Sequence, residues 1–176
     1  AYVNKDLELA RQVMEADNEV DLLFEDNKKE LIDFIAQNGD QGKEAIDLIM
    51  VAKYLERIGD HAINIAEYAD DMKKWDLKFS DMVLEELEDM KKQCVAAVDN
   101  LRNVASDEAG QVLERAVVQE QKIDDMRDKY FKKQMQRLKK GKCKPQSGIV
   151  FSEVLTDFER MGDHALNIAQ QYKEMS

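Results

Sequence analysis

Apolar residues recur at steps of three and four through most of this chain, the interval that keeps them on one face of an α-helix. The clearest run is Val83, Leu87, Met90, Cys94, Ala97 and Leu101, the seam expected of a helix in a bundle. Breakers interrupt the pattern at Asn38-Gly39-Asp40-Gln41-Gly42, more softly from Asp76 to Ser80, and between Gly141 and Gly148, which encloses the only proline, Pro145. A weaker break runs from Ser106 to Gly110. Ser80 is placed to cap the helix that follows it. The pattern predicts five long helices, roughly 5–37, 43–72, 80–104, 108–140 and 147–173. Trp75 and Phe79 at the mid-chain boundary are expected to pack in the core or at a hinge, and Met90, Met126 and Met135 to fill gaps in the bundle.

Comparing the chain with itself reveals a duplication. Leu55-Glu-Arg-Ile-Gly-Asp-His-Ala-Ile-Asn-Ile-Ala66 returns as Phe158-Glu-Arg-Met-Gly-Asp-His-Ala-Leu-Asn-Ile-Ala169, an offset of 103 residues (159 − 56). The same offset lays Asp17 and Asp21 over Glu120 and Asp124. The predicted fold is therefore all-α, with two tandem helical-bundle repeats at 1–75 and 76–176. The helix at about 80–104 belongs to the second repeat, and its counterpart falls before residue 1. The first repeat is therefore expected to lack its N-terminal helix here, that helix being removed, truncated or supplied by a partner.

Composition narrows the function classes. With 26 basic against 37 acidic residues the net charge is −11, which lacks the basic field of a general nucleic-acid binder. No apolar run approaches the roughly 20 residues that span a bilayer, and no secretory leader is evident. Cys94 and Cys143 stand in no metal or redox spacing, as expected in a reducing cytoplasm. Arg137-Leu-Lys-Lys-Gly-Lys-Cys-Lys-Pro145 is a basic island, read first as a helix end whose cations complement the dipole. An anionic headgroup, a nucleotide or an acidic partner is the alternative.

Four acidic pairs carry the candidate chemistry. Asp17 and Asp21, Glu56 and Asp60, Glu120 and Asp124, and Glu159 and Asp163 each stand four apart, on one helix face about one turn from each other. Glu56 and Glu159 interrupt the seams Ile49-Ala52-Gly59-Ile63-Ala66 and Leu155-Gly162-Leu166-Ala169. A carboxylate drawn into an apolar face must be neutralised. A helical hairpin would gather four carboxylates per repeat, an all-oxygen set suited to hard cations with room for more than one ion. Asn64 and Asn167 continue the stripe as second-layer groups or carbonyl ligands. Arg57, Arg160 and Lys122 are the alternative neutralising partners. Gly59 and Gly162 cost helix stability, which suggests that a backbone or an ion needs the space. His61 and His164 follow the motif aspartates and point about 100° away, towards a neighbouring helix rather than a metal. The Glu-x-x-His of ferritin-like di-iron sites is missing, since Gly59 and Gly162 occupy the histidine positions. No nucleophile–base set or phosphate loop is present, so no catalytic residue is expected.

The repeated Glu-Arg-Ile/Met-Gly-Asp-His-Ala-x-Asn-Ile-Ala string and the paired acidic motifs resemble the PhoU family, bacterial regulators of phosphate uptake. Lys78-Phe-Ser80 and Gly148-Ile-Val-Phe151 are also similar to the PhoU-like domains of sodium/phosphate cotransporters. The resemblance implies two three-helix bundles side by side. It also implies multinuclear metal clusters on the eight acids, with iron first and zinc, manganese, nickel or magnesium as alternatives. A non-enzymatic cytoplasmic regulator follows, linking a phosphate ABC transporter to a membrane sensor kinase and peripheral to the membrane through those partners. A homodimer through the uncovered first repeat is one option for its assembly. A regulatory domain of a cotransporter and a carboxylate-bridged metalloenzyme are the competing readings.

Overall fold

A computed structural model describes residues 7–102 and 108–176. Five helices follow one another: α1 (Leu7–Gln37), α2 (Gly42–Lys74), α3 (Asp81–Leu101), α4 (Ala109–Lys139) and α5 (Pro145–Met175), with a single 3-10 turn, Gly39–Gln41, between α1 and α2. The predicted start of the first helix and the end of the third, with the first two residues of the Ser106–Gly110 break, lie outside the described residues. Pro145 opens α5 from inside its first turn, where a missing N–H costs nothing. Ser80 precedes α3 but its hydroxyl makes no capping bond; its carbonyl accepts the amides of Val83 and Leu84 instead.

The helices pack in the order α1, α2, α5, α4, α3, and α3 also lies on α5. Hairpins α1–α2 and α4–α5 carry the duplicated segments, joined where α2 runs antiparallel to α5. The predicted α3 seam turns inward, with Met90 and Cys94 in a core that includes Phe151, Val154, Leu155 and Ile123. Burial holds the Cys94 thiol up at about 12, so it stays protonated. Polar clamps fix both ends of α3. Glu86 accepts Arg137 Nη2 at 2.8 Å and Lys133 Nζ at 3.1 Å, while Asn100 donates to the Val112 carbonyl at 3.0 Å and accepts Arg115 Nε at 2.7 Å.

No described helix does for α1 and α2 what α3 does for α4 and α5. Phe151 is 0% exposed and Phe158 7%, whereas Leu48 and Leu55 at the equivalent positions are 46% and 47% exposed. Trp75, expected inside, is half exposed; Phe79 does pack, edge-on against Phe151 at 6.0 Å.

Candidate metal centre

The second repeat brings three of its four acidic side chains together. Glu120 and Asp124 on α4 and Asp163 on α5 each offer a carboxylate oxygen, and these oxygens lie within 4.8 Å of one another. Burial raises Glu120 above the ordinary carboxylate range, and Asp124, Asp163 and Glu159 add to the shift. Asp124 is raised as well, by burial first and then Asp163, with Arg127 opposing. Its Oδ1 is buried with no hydrogen-bond partner. Asp163 has one cation, Arg160 Nη1 at 3.1 Å on its own helix.

Glu159 stands slightly apart from this group. Its carboxylate faces the Arg127 guanidinium at 3.9 Å, and burial leaves it raised even so. The four-carboxylate cage predicted for this repeat is therefore three acids plus one drawn towards an arginine.

The first repeat departs further from the prediction. Among the described residues no three of Asp17, Asp21, Glu56 and Asp60 converge. Lys53 Nζ sits 4.9 Å from the Phe24 ring centroid and donates to both Glu56 oxygens at 2.7 and 2.6 Å. Arg57 Nη1 holds Asp60 at 3.1 Å, and Asp21 is exposed. Asp17, which the duplication aligns with Glu120, shows the feature seen at Asp124: Oδ1 is buried without a partner, and burial and then Asp21, Asp60 and Glu56 raise its titration. The duplication explains the contrast. Positions Phe24 and Lys53 correspond to Arg127 and Thr156, so the neutralising cation sits on the second helix in one repeat and on the first in the other. Thr156 donates to the Ser152 carbonyl at 3.0 Å and can neutralise nothing.

Both motif glycines mark close approaches. A Cβ on Gly162 would stand 2.9 Å from Ile123 Cδ1, and one on Gly59 would stand 3.2 Å from Asp17 Oδ1. The space is taken by the facing helix in each case.

Asn64, expected to serve the acidic pairs, turns its amide to another acid. It donates to Asp157 Oδ1 at 3.2 Å across the α2–α5 junction, where His61 Nδ1 donates to the same oxygen at 2.7 Å. Among the described residues no hydrogen bond joins Asn167 to any of the eight acids. His61 and His164 stack with centroids 5.4 Å apart, and Tyr54 stacks on His164 at 5.7 Å. The histidines thus face a neighbouring helix, as their position beside the motif aspartates predicts. Burial lowers His164. The same junction pushes Tyr68 up to about 12, through burial and then Asp157. Sequence reasoning missed Asp157, whose signal was the unlike pair Tyr54 and Asp157 just ahead of otherwise matching motifs.

The sequence model of the family described as PhoU domain matches residues 1–69 and 85–172, which takes in both acidic hairpins. The chain belongs to the PhoU domain family. Among PhoU relatives, the phosphate-specific transport system accessory protein PhoU homolog 1 of Thermotoga maritima is 29% identical over 166 residues, covering 93% of this chain and 71% of that protein. A PhoU homolog of Xylella fastidiosa is 40% identical over 67 residues, a stretch spanning 38% of this chain and only 28% of the relative. The crystal structure of the phosphate transport system regulatory protein PhoU from Streptococcus pneumoniae superposes with a TM-score of 0.82 at 18% identity, over 99% of this chain and 82% of that one. That likeness shows the fold: all-α, with two PhoU repeats.

Proposed function

We propose that this PhoU-domain chain is a metal-binding, non-enzymatic regulator of phosphate uptake, an adaptor between a phosphate transporter and its sensor kinase. The transport role rests on the relatives, whose names describe accessory proteins of phosphate-specific transport. The metal role rests on one observation: Glu120, Asp124 and Asp163 converge within 4.8 Å while Asp124 Oδ1 is buried without a partner.

The donor set fits a hard cation. Three carboxylates oppose two arginines, Arg160 on Asp163 and Arg127 near Asp124, and burial with mutual repulsion still raises two of them; a bound cation would remove that repulsion. Glu120, Asp124 and Asp163 would hold it, with Glu159 released from Arg127 as a further ligand. In the first repeat Asp17 would bind only after Lys53 and Arg57 give up Glu56 and Asp60, so the second repeat fills first. The ion would act as an electrostatic brace between α4 and α5, supplying no chemistry of its own. Iron leads the candidates, with zinc, manganese, nickel and magnesium behind it.

Elemental analysis of protein purified without chelator tests the metal role. Metal should co-purify with the wild type and be absent from Glu120→Gln combined with Asp163→Asn; a double variant that retains it would refute the site. Capture of the phosphate transporter's ATPase subunit by the wild-type chain tests the adaptor role separately.

A further inference from the structure

Charge in this molecule is segregated along its length. Between Lys129 and Pro145 there are eight basic residues and no acid, so the remainder of a chain of net −11 carries −19 (−11 − 8). Glu86 on α3 engages Lys133 and Arg137. Lys139, Lys140, Lys142 and Lys144 are left exposed, and among the described residues none of them forms an ion pair. Gly141, at φ +63°, turns the chain between α4 and α5, with Lys142 N bonded back to the Arg137 carbonyl at 2.9 Å. This is the left-handed helix ending that glycine permits.

Fold stability accounts for only part of this cluster. Cations suit the C-terminus of α4, but Lys144 precedes the first turn of α5, a turn without any acid. There the helix dipole is positive and disfavours further positive charge. An external anion would relieve that clustering.

Exposed apolar groups share this end of the bundle. Antiparallel packing of α2 on α5, seen where His61 and Asn64 meet Asp157, carries Lys73, Lys74 and Trp75 to the start of α5. Arg137 touches the Met82 sulfur at 4.0 Å, which brings the start of α3 there too. Trp75, Met82 and Ile149 are all more than half exposed. The same segments also carry the acids Asp70, Asp71, Asp76, Asp81 and Glu85.

We propose that this end docks on an anionic lipid surface. A protein interface favours arginine and is depleted in lysine, yet the arginine here is engaged by Glu86 and the exposed cations are lysines. Free lysines beside an exposed tryptophan, methionine and isoleucine match the headgroup region instead. Orientation follows from length. A 31-residue helix such as α5 spans about 46 Å, so the acidic remainder of the molecule lies mostly beyond the screening distance of about 10 Å. This proposal is independent of the metal reading.

Co-sedimentation of the whole chain with vesicles tests it, using phosphatidylcholine alone or mixed with phosphatidylglycerol, with a chelator present so that no cation bridges protein to lipid. Binding is expected only to the anionic vesicles at about 0.1 M salt and should weaken as salt rises. Trp75, the only tryptophan, should shift its emission to the blue on binding. Charge reversal as K139E/K140E/K142E/K144E, with helical content and thermal midpoint retained, should cut partitioning at least about a hundredfold; a milder K139Q/K140Q pair should give an intermediate loss. Equal binding to neutral vesicles, or undiminished binding by a folded reversal variant, would overturn the proposal. So would capture by poly-glutamate without vesicle binding, which would reassign the surface to an acidic protein.

Discussion

Asp124→Asn separates the two faces of the acidic cluster, its cost without metal and its use with one. The three oxygens lie within 4.8 Å of one another, so removing the Asp124 charge relieves repulsion with two neighbours. At that spacing each pair repels by about 3.5 kcal/mol with an effective dielectric near 20 and by about 0.9 kcal/mol in water. The groups are half exposed, so screening favours the lower figure, giving about 1–2 kcal/mol for two pairs. Asn also retains the carbonyl at the Oδ1 position and adds an amide that can donate to Glu120 or Asp163. Metal-free Asp124→Asn should therefore melt roughly 2–8 °C above metal-free wild type, given about 2–4 °C per kcal/mol for a chain of this size. Cation addition should reverse the order: at about 100 times Kd the wild type gains about 2.7 kcal/mol, while the variant gains little. Calorimetry at neutral pH with chelator and then with metal gives both comparisons. A metal-free variant less stable than wild type, or one that gains as much from cation, would refute the reasoning.

The motif glycines should behave differently despite matching positions. Gly162→Ala drives a Cβ to 2.9 Å from the fully buried Ile123 and should destabilise by about 1–3 kcal/mol; Gly59→Ala meets the Asp17 carboxylate at 3.2 Å and should change stability by less than about 1 kcal/mol, both read by denaturant titration. Glu86→Ala leaves Arg137 in a site that exposes only 13% of its side chain and should cost about 3 kcal/mol, mostly recovered when Arg137→Met is added. The pH profile of the metal-free chain should also be unusual. Asp17, Glu120, Asp124 and Glu159 titrate above their ordinary 3.8 and 4.5 when folded, so the stability they contribute is full below those values and is lost as pH rises through the folded ones. The lowered His164 acts oppositely, losing stability as pH falls below 6.5. Thermal midpoints of Asp124→Asn and wild type should accordingly converge between pH 7 and about pH 4; a gap that stays constant would argue against carboxylate repulsion.

Helix number, the seams and the acidic pairs were legible because a 3.6-residue period maps directly onto a face. Which acids meet was not, because convergence depends on how far each helix rotates about its axis. The α2 seam illustrates the limit. Ile49, Ala52 and Ile63 stay only half buried, while Leu155 and Ala169 on α5 are closed off, since α3 covers one hairpin and no described helix covers the other. The roles of Lys53 and Arg127 were hidden for a related reason. Each looks like an ordinary surface cation until a second helix brings it an aromatic ring or a carboxylate.

The junction between α2 and α5 has a consequence for the history of the two halves. A chain assembled from two identical second hairpins would set an aspartate against each histidine, and one assembled from two first hairpins would set tyrosines there and supply neither acid. In this protein His61 has Asp157 and His164 has Tyr54. Each half has come to supply what the other lacks, so neither could be exchanged for a duplicate of its sibling without rewriting the seam between them.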